Sequence, residues 1–209
     1  IYLQTGSVYN DLLASVVDNN DTDLTISIVG EVDNNTPGTY EVQYTVTDSD
    51  GYSTTETRQV IVTNQRPFIM TWQTYGNDWS PDDEISFGVT SLNNEFYVEW
   101  GDGQSTLQQN YGFARHKYAT AGIYTVTIYG DVTSFDANIY NDGLKLLTIE
   151  QWGDIEWTSL EESFSRAYNL QINASDAPDL SNVESLASMF YAASNVNANL
   201  SHWDVSNVK

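Results

Sequence analysis

The stretch Val98-Glu99-Trp100-Gly101-Asp102-Gly103, near the middle of the chain, determines how the sequence is divided. Apolar and polar residues alternate from Phe96 into it, which is the spacing of a β-strand. The Gly-Asp-Gly at its end is typical of a tight turn, because glycine tolerates positive φ and aspartate accepts bonds from nearby backbone. Alternation over residues 123–128 predicts the partner strand of a hairpin. The sequence before this hairpin predicts β structure, and the sequence after it changes to a repeat.

Composition limits the classes of function. The 209 residues include 29 acidic and 7 basic side chains, a formal net charge of −22, which disfavours nucleic acid and anionic membranes as partners. The chain has no cysteine, so disulfides, thiolate zinc sites and cysteine nucleophiles are excluded. No apolar run reaches the roughly 18 residues of a membrane span. We expect a secreted protein with a solvated acidic surface, and the alternative is a surface that collects cations.

Residues 1–64 predict a small antiparallel β-sandwich. Turn residues recur roughly every ten positions between short alternating runs, as in all-β domains. Asp48-Ser49-Asp50-Gly51 joins residues 40–47 to residues 52–62 as a hairpin. Together with Pro37-Gly38-Thr39-Tyr40, these residues resemble the bacterial immunoglobulin-like (HYR-like) modules found in tandem on surface proteins. The resemblance implies an Ig-like fold for the whole segment.

Three carboxylates in this segment raise the question of a metal. Asp18, Asp21 and Asp23 fall within six residues, and such dense oxygen ligands suit Ca²⁺. The spacing is not that of an EF-hand, since it has neither the central glycine nor the closing glutamate. The alternative is an Asx-rich turn in which these side chains cap their own backbone.

Residues 65–132 predict a second sandwich. Asn64-Gln65-Arg66-Pro67 is a short polar linker that ends in a residue unable to continue a strand ladder. Trp100-Gly101-Asp102-Gly103, His116-Lys117-Tyr118 and Gly122-Ile123-Tyr124-Thr125-Val126 together resemble the PKD (polycystic kidney disease) domain. The resemblance implies a β-sandwich that serves as a spacer or a contact module. We interpret His116 as a structural histidine, because a ligand or a base needs partners.

Residues 133–209 contain a repeat. The residues around Leu160, Phe164 and Ala167 recur 26 positions later around Leu186, Phe190 and Ala193, a period typical of solenoids. Apolar residues at i, i+3, i+4 and i+7 predict a short helix in each unit, and alternation from Val196 to Leu200 predicts a short strand. The motifs resemble BspA-like leucine-rich repeats of bacterial surface proteins, which implies an α/β solenoid entered through residues 144–157. We expect the repeats to continue beyond Lys209.

The predicted fold class is therefore mainly β: two tandem sandwiches, Ig-like and then PKD-like, followed by the start of a repeat solenoid. Solenoids offer extended contact surfaces, and large aromatic side chains are frequent anchors there. Four candidates are Trp152, Trp157, Tyr168 and Trp203. The alternative for each is that the ring packs in the core.

Three functions fit this organisation. The first is a non-catalytic secreted or cell-surface protein that binds a protein or carbohydrate, monomeric except for contacts through an open repeat end. The second is the accessory substrate-binding region of a larger secreted hydrolase. The third is a stalk stiffened by calcium. Catalysis within the chain is not expected, because the adjacent pairs Glu161-Glu162 and Asp82-Asp83 make poor acid/base partners.

Overall fold

A computed structural model describes residues 1–11, 13–21, 24–76, 79–92, 95–108 and 112–209, with the side chain of Tyr140 left out. The chain is mainly β and divides into two compact units, Ile1–Asn64 and Gln65–Lys209. Strands β1 to β13 span Tyr2–Gln4, Ile26–Val29, Gly38–Thr47, Ser53–Thr63, Phe68–Gln73, Glu84–Ser91, Phe96–Glu99, Ser105–Gln108, Gly112–Lys117, Ile123–Tyr129, Val132–Asp136, Leu146–Gln151 and Gln171–Ile172. One 3-10 helix, η1, spans Ile139–Lys145. Within the described residues, no helix has the length and apolar character needed to cross a membrane.

The first unit is built on one four-stranded sheet with the order β1-β4-β3-β2. The predicted hairpin is confirmed, because β3 pairs antiparallel with β4 from Gly38↔Val62 to Thr47↔Ser53. Within its turn, the Tyr52 amide donates to the Asp48 carboxylate at 2.7 Å. The predicted antiparallel two-sheet sandwich is only partly matched. Strand β1 pairs parallel with β4, and the strands of this unit's described residues form one sheet.

The core of the first unit lies on one face of this sheet. Val42, Tyr44 and Val60 are buried there, as the alternation in β3 and β4 predicts. Segments outside the strands cover them, including Tyr9 and Ala14. This core does not extend fully under β2, because Ile28, opposite the buried Tyr44, is 44% exposed.

The second unit begins as a sandwich of two sheets. One has the order β13-β12-β5-β10-β7-β8, and the other has the order β11-β6-β9. Aromatic side chains join them, since the ring of Phe87 on β6 lies 5.8 Å from Trp72 on β5 and 5.6 Å from Trp100. All three rings are fully buried. Strand β10 pairs antiparallel with β7, but the predicted hairpin between them is wrong, because β8 follows β7 in the chain and pairs with its other edge.

The predicted boundary between residues 132 and 133 falls inside β11, so it does not separate two compact units. Strand β12, which was expected to start the repeat domain, pairs antiparallel with β5 of the sandwich. Trp152 then stacks on Phe68 at a centroid distance of 5.7 Å. A single hydrophobic core therefore runs from the sandwich into the repeats. Residues 144–157, which were predicted to be the entry cap of the repeats, instead connect the sandwich to the repeats.

The helices predicted in the repeats are wrong, because these segments are chains of turns. Glu162 and Arg166 have φ of 56° and 60°, and Ser188 and Ala192, each 26 residues later, have 55° and 59°. A right-handed helix needs φ near about −60° at every residue, so a left-handed residue at every fourth position prevents it. The strand predicted at residues 196–200 has no strand assignment either, although its alternating burial is present.

Backbone hydrogen bonds run between successive repeats instead of along a helix. The amides of residues 162, 164 and 166 donate to the carbonyls of residues 187, 189 and 191 at 3.0, 2.9 and 2.7 Å. The predicted apolar face nevertheless points inward, and Phe164 stacks on Phe190 at 5.7 Å. We call each such layer a coil, and the three coils include residues 137–145, 160–170 and 186–196.

Candidate functional site

The acidic turn of the first unit uses its carboxylates internally. Oδ1 of Asp18 accepts the amides of Asn20 at 2.7 Å and Asp21 at 2.9 Å. These bonds hold the pKa of Asp18 below its ordinary value. The carboxylate of Asp21 accepts the amide and the hydroxyl of Ser49, at 2.9 and 3.0 Å. The local bonds of Asp18 are those that the Asx-turn alternative predicts, whereas Asp21 connects its turn to a residue 28 positions away.

The third member of that cluster, Asp23, lies outside the described residues. Across the part of the chain that the structure describes, no three histidine, cysteine or carboxylate side chains are grouped as metal ligands would be. Calcium binding at Asp18, Asp21 and Asp23 therefore stays a prediction.

His116 is held in a local network near the turn that divides the chain. Its Nε2 lies 2.8 Å from Oδ2 of Asp102, and its ring stacks on Trp100 at 4.9 Å. Burial opposes ionisation of Asp102, but the bonds from His116 and from the Gln104 amide outweigh it and lower the pKa of this carboxyl. The hydroxyl of Tyr118 donates to the Trp100 carbonyl at 3.0 Å beneath the pair. Every group in the network has a partner inside the fold, which matches a structural role.

The structure corrects the assignment of three aromatic anchors. Trp152 and Trp157 are fully buried and Trp203 is nearly so, all in the core that joins the sandwich to the coils. Trp152 packs against Phe164 of the coils as well as against Phe68 of the sandwich. Tyr168 is the exception, with 43% of its surface exposed.

Tyr168 lines an open groove of about 590 Å³ on the second unit, which we call the aromatic groove. Trp79 and Tyr191 are more exposed still, at 76% and 62%. The complete lining is Trp79, Asn138, Asn141, Leu144, Arg166, Tyr168, Tyr191 and Ala192. Its volume is in the range of about 300–1,000 Å³ that is common for ligand sites.

A column of left-handed residues positions this lining. Asn141, Arg166 and Ala192, one from each coil, have φ of 60°, 60° and 59°. All three line the aromatic groove. Asparagine adopts this conformation readily, whereas arginine and alanine do so at a cost of about 1–3 kcal/mol. Strained backbone of this kind gathers at functional sites more than elsewhere, which makes the column a pointer to function.

The charges around the groove are unevenly placed. Of the lining residues that the structure describes, Arg166 is the charged one. An adjoining depression shares Asn138, Arg166 and Tyr191 and adds the carboxylates of Asp136 and Glu162. Burial, together with the nearby Glu162 charge, raises the pKa of Asp136. The carboxylates thus line one side of Arg166, and the aromatic rings line the other.

Of the residues that line the aromatic groove, the sequence analysis had identified only Tyr168 as a candidate binding residue. Two signals in the sequence could have indicated more. Trp79 lies in a polar segment without strand alternation, and this segment offers no apolar side chains to bury the ring. Tyr191 occupies the repeat position of Ser165, so it is a large aromatic residue where the preceding coil has a small polar one.

Comparison with known families gives two matches. Residues 1–62 match the family model for the Ig-like domain of bacterial surface proteins. Residues 127–209 match the model described as "Mycoplasma protein of unknown function, DUF285". The second match begins inside β10, so it includes the end of the sandwich as well as the coils. The first match supports the resemblance of residues 1–64 to an immunoglobulin-like domain of bacterial surface proteins.

Comparison with solved structures gives a weaker likeness. The crystal structure of a lipoprotein from Bacteroides thetaiotaomicron aligns with a TM-score of 0.26 and 19% sequence identity. The alignment covers 54% of this chain and 53% of the lipoprotein, so about half of each chain is compared. No curated protein matches the chain.

Proposed function

We propose that this chain is a non-catalytic part of a bacterial cell-surface protein and that it binds an extracellular ligand in the aromatic groove. The single observation that carries the proposal is the exposure of Trp79, Tyr168 and Tyr191 around one concave surface. Large exposed rings cost solvation free energy when nothing covers them, and their clustering is typical of binding surfaces.

The location is supported by the match of residues 1–62 to a domain of bacterial surface proteins. The absence of cysteine and the net charge of −22 agree with a soluble, highly hydrated exterior. In this role, the first unit and the PKD-like sandwich are spacers, and the coils form the start of a leucine-rich-repeat-like solenoid. The groove lies where the sandwich and the coils meet.

A non-catalytic role is supported by the chemistry of the groove. The described part of its lining has aromatic rings, two carboxamides and one guanidinium, and holds no pair of a nucleophile and a base. His116 and Asp102, which do not line the groove, are bonded to each other within a packed network. A general acid or base has to reach a substrate, so we assign this pair no chemical step.

The proposal is tested with the full chain on a glycan array and a panel of extracellular matrix proteins, followed by titration of the strongest hit. Trp79→Ala and Tyr191→Ala are expected to weaken binding about 10-fold or more each, as hot-spot aromatics do. Tyr52→Ala is the matched control, because Tyr52 is as exposed as Trp79 but lies in the first unit. Binding that survives both groove substitutions, or no binding by the wild type to any probe, would refute this function.

A further inference from the structure

The distribution of positive charge singles out Arg166. The chain has seven lysine and arginine residues. Six of them form ion pairs with carboxylates: Arg58, Arg66, Arg115, Lys117, Lys145 and Lys209. Among the described residues, no carboxylate lies within ion-pair distance of the Arg166 guanidinium, although acidic residues outnumber basic ones about fourfold. An arginine without an ion pair in so acidic a protein has an exposed guanidinium ready for an external anion.

The side chains around Arg166 indicate which kind of anion could bind there. On the side of the aromatic groove, the guanidinium shares the surface with the rings of Tyr168 and Tyr191. Among the described lining residues of the groove there is no carboxylate, since Asp136 and Glu162 line the adjoining depression. Charge complementarity at Arg166 therefore favours a ligand that places one negative group beside an aromatic contact.

The remaining lining favours a sugar as the body of that ligand. Among the described lining residues, Leu144 and Ala192 are the aliphatic ones, which offers little apolar surface for the side chains of an apolar peptide. Aromatic faces and carboxamides suit a molecule with an apolar ring face and polar edges. The side chains of Asn138 and Asn141 supply both donors and acceptors for hydroxyl groups.

We propose that the aromatic groove binds a carbohydrate that carries a carboxylate, and that Arg166 pairs with this carboxylate while the aromatic rings cover the sugar face. This inference rests on the ligand-binding role proposed above. It adds the chemical class of the ligand and the residue that selects it. The guanidinium provides a planar pair of donors that matches a carboxylate, which a lysine would not.

The test uses pairs of sugars that differ by the acidic group: sialyllactose against lactose, and digalacturonate against galactobiose. Titration calorimetry with the full chain is expected to show at least about 10-fold tighter binding of an acidic member, the usual range for a hydrogen bond to a charged group. Arg166→Gln is expected to remove that preference, so that the acidic and the neutral member of each pair bind with similar affinity. The preference should also weaken as salt is added.

Lys117→Gln is the matched control, because it removes one exposed positive charge of the same unit and lines neither depression. It should alter the preference by less than about twofold. Equal binding of acidic and neutral sugars, no change with Arg166→Gln, or binding of a glutamate-rich peptide in place of every acidic sugar overturns the inference. If Trp79→Ala still weakens binding in those cases, the groove remains the site and only the ligand class is wrong. If Trp79→Ala has no effect, the proposed function fails as well.

Discussion

The imidazole of His116 lies 2.8 Å from the carboxylate of Asp102 and connects strand β9 to the turn that follows β7. Both side chains are largely buried. Oδ1 of Asp102 meanwhile accepts the Gln104 amide at 2.9 Å, so one carboxylate closes its own turn and holds a neighbouring strand. The bond from the Gln104 amide could be predicted from the Gly-Asp-Gly motif. The bond to His116 depends on the fold, because it joins two strands.

Asp102→Asn separates the two roles, because an asparagine oxygen can still accept the Gln104 amide but carries no charge. We expect the free energy of unfolding at neutral pH to fall by about 1–2 kcal/mol, the range for a partly buried charged hydrogen bond. Since the pKa of Asp102 is lowered in the folded state, its stabilisation is present above the unfolded pKa of about 3.9 and is lost as the pH falls through the folded value.

The measurement is urea unfolding of wild type and variant across the acid range. The difference between the two proteins should shrink once the pH is below about 4. Asp82→Asn is the control, an exposed carboxylate in the same unit, and it should leave the profile unchanged. A gap between wild type and Asp102→Asn that stays constant into strong acid contradicts the proposed ionic contribution.

The two glycines of this turn should respond differently to the same substitution. Gly101 and Gly103 have φ of 82° and 86°, so alanine is strained at both. A Cβ at Gly101 would also lie 2.5 Å from the Thr125 carbonyl oxygen, whereas one at Gly103 meets nothing within 4 Å. Gly103→Ala is expected to cost about 1–2 kcal/mol, and Gly101→Ala clearly more, since β10 has to move. Thermal unfolding of the pair decides this, and equal losses would show that the close approach has no energetic weight.

Strands set by local alternation could be predicted from the sequence. Val42 and Tyr44 on β3 and Val60 on β4 face the core as their spacing indicates, and the hairpin between them follows from its turn residues. The inward face of the repeats is likewise visible in the recurrence of Phe164 at Phe190.

What the sequence could not show depends on contacts between distant segments. The pairing of β12 with β5 joins residues that are nearly eighty positions apart, and nothing local marks β12 as part of the sandwich. The left-handed φ of Glu162 and Arg166 was equally hidden, because neither is a residue type that favours that conformation. The aromatic groove was hidden for both reasons. Trp79 and Tyr191 are distant in sequence, and they line one groove only after the coils have stacked.

The buried pair of Asp142 and Lys145 should be the most sensitive polar site of the second unit. Neither side chain reaches solvent, and Lys145 donates to the carbonyls of Pro81 and Glu84 at 2.8 Å each. Lys145→Met leaves Asp142 charged and buried, which is expected to cost about 3–5 kcal/mol. Lys117→Met, at an exposed ion pair, should cost less than about 1 kcal/mol. Chemical denaturation of both variants tests this, and similar losses would mean that Asp142 is stabilised without its partner.

The two alternatives for the acidic turn predict different responses to calcium: an Asx-rich turn leaves the melting temperature unchanged, whereas the predicted calcium site raises it. The carboxylates of Asp18 and Asp21 already accept hydrogen bonds from Asn20 and Ser49, which stabilise the turn without a cation. A ligand that binds only the folded state raises the melting temperature, so differential scanning calorimetry with added CaCl₂ and with chelator is decisive. Magnesium chloride at equal ionic strength is the control. A melting temperature that rises with calcium alone would support the hypothesis of a calcium-stiffened stalk, with Asp23 as a candidate third ligand.

Strain in the column of left-handed residues should be measurable at Ala192, where glycine removes only the Cβ. Ala192 has a φ of 59°, a conformation that costs about 1–2 kcal/mol for an L-residue, while glycine loses about 0.5–1 kcal/mol through its extra freedom in the unfolded chain. Ala192→Gly is therefore expected to stabilise the protein by about 0.5 kcal/mol or slightly more. The adjacent Ala193 is buried and has no positive φ, so Ala193→Gly should destabilise it by about 1 kcal/mol. Equilibrium unfolding of the two variants provides the comparison, and a loss of stability in both would mean that the coil carries no strain at this position.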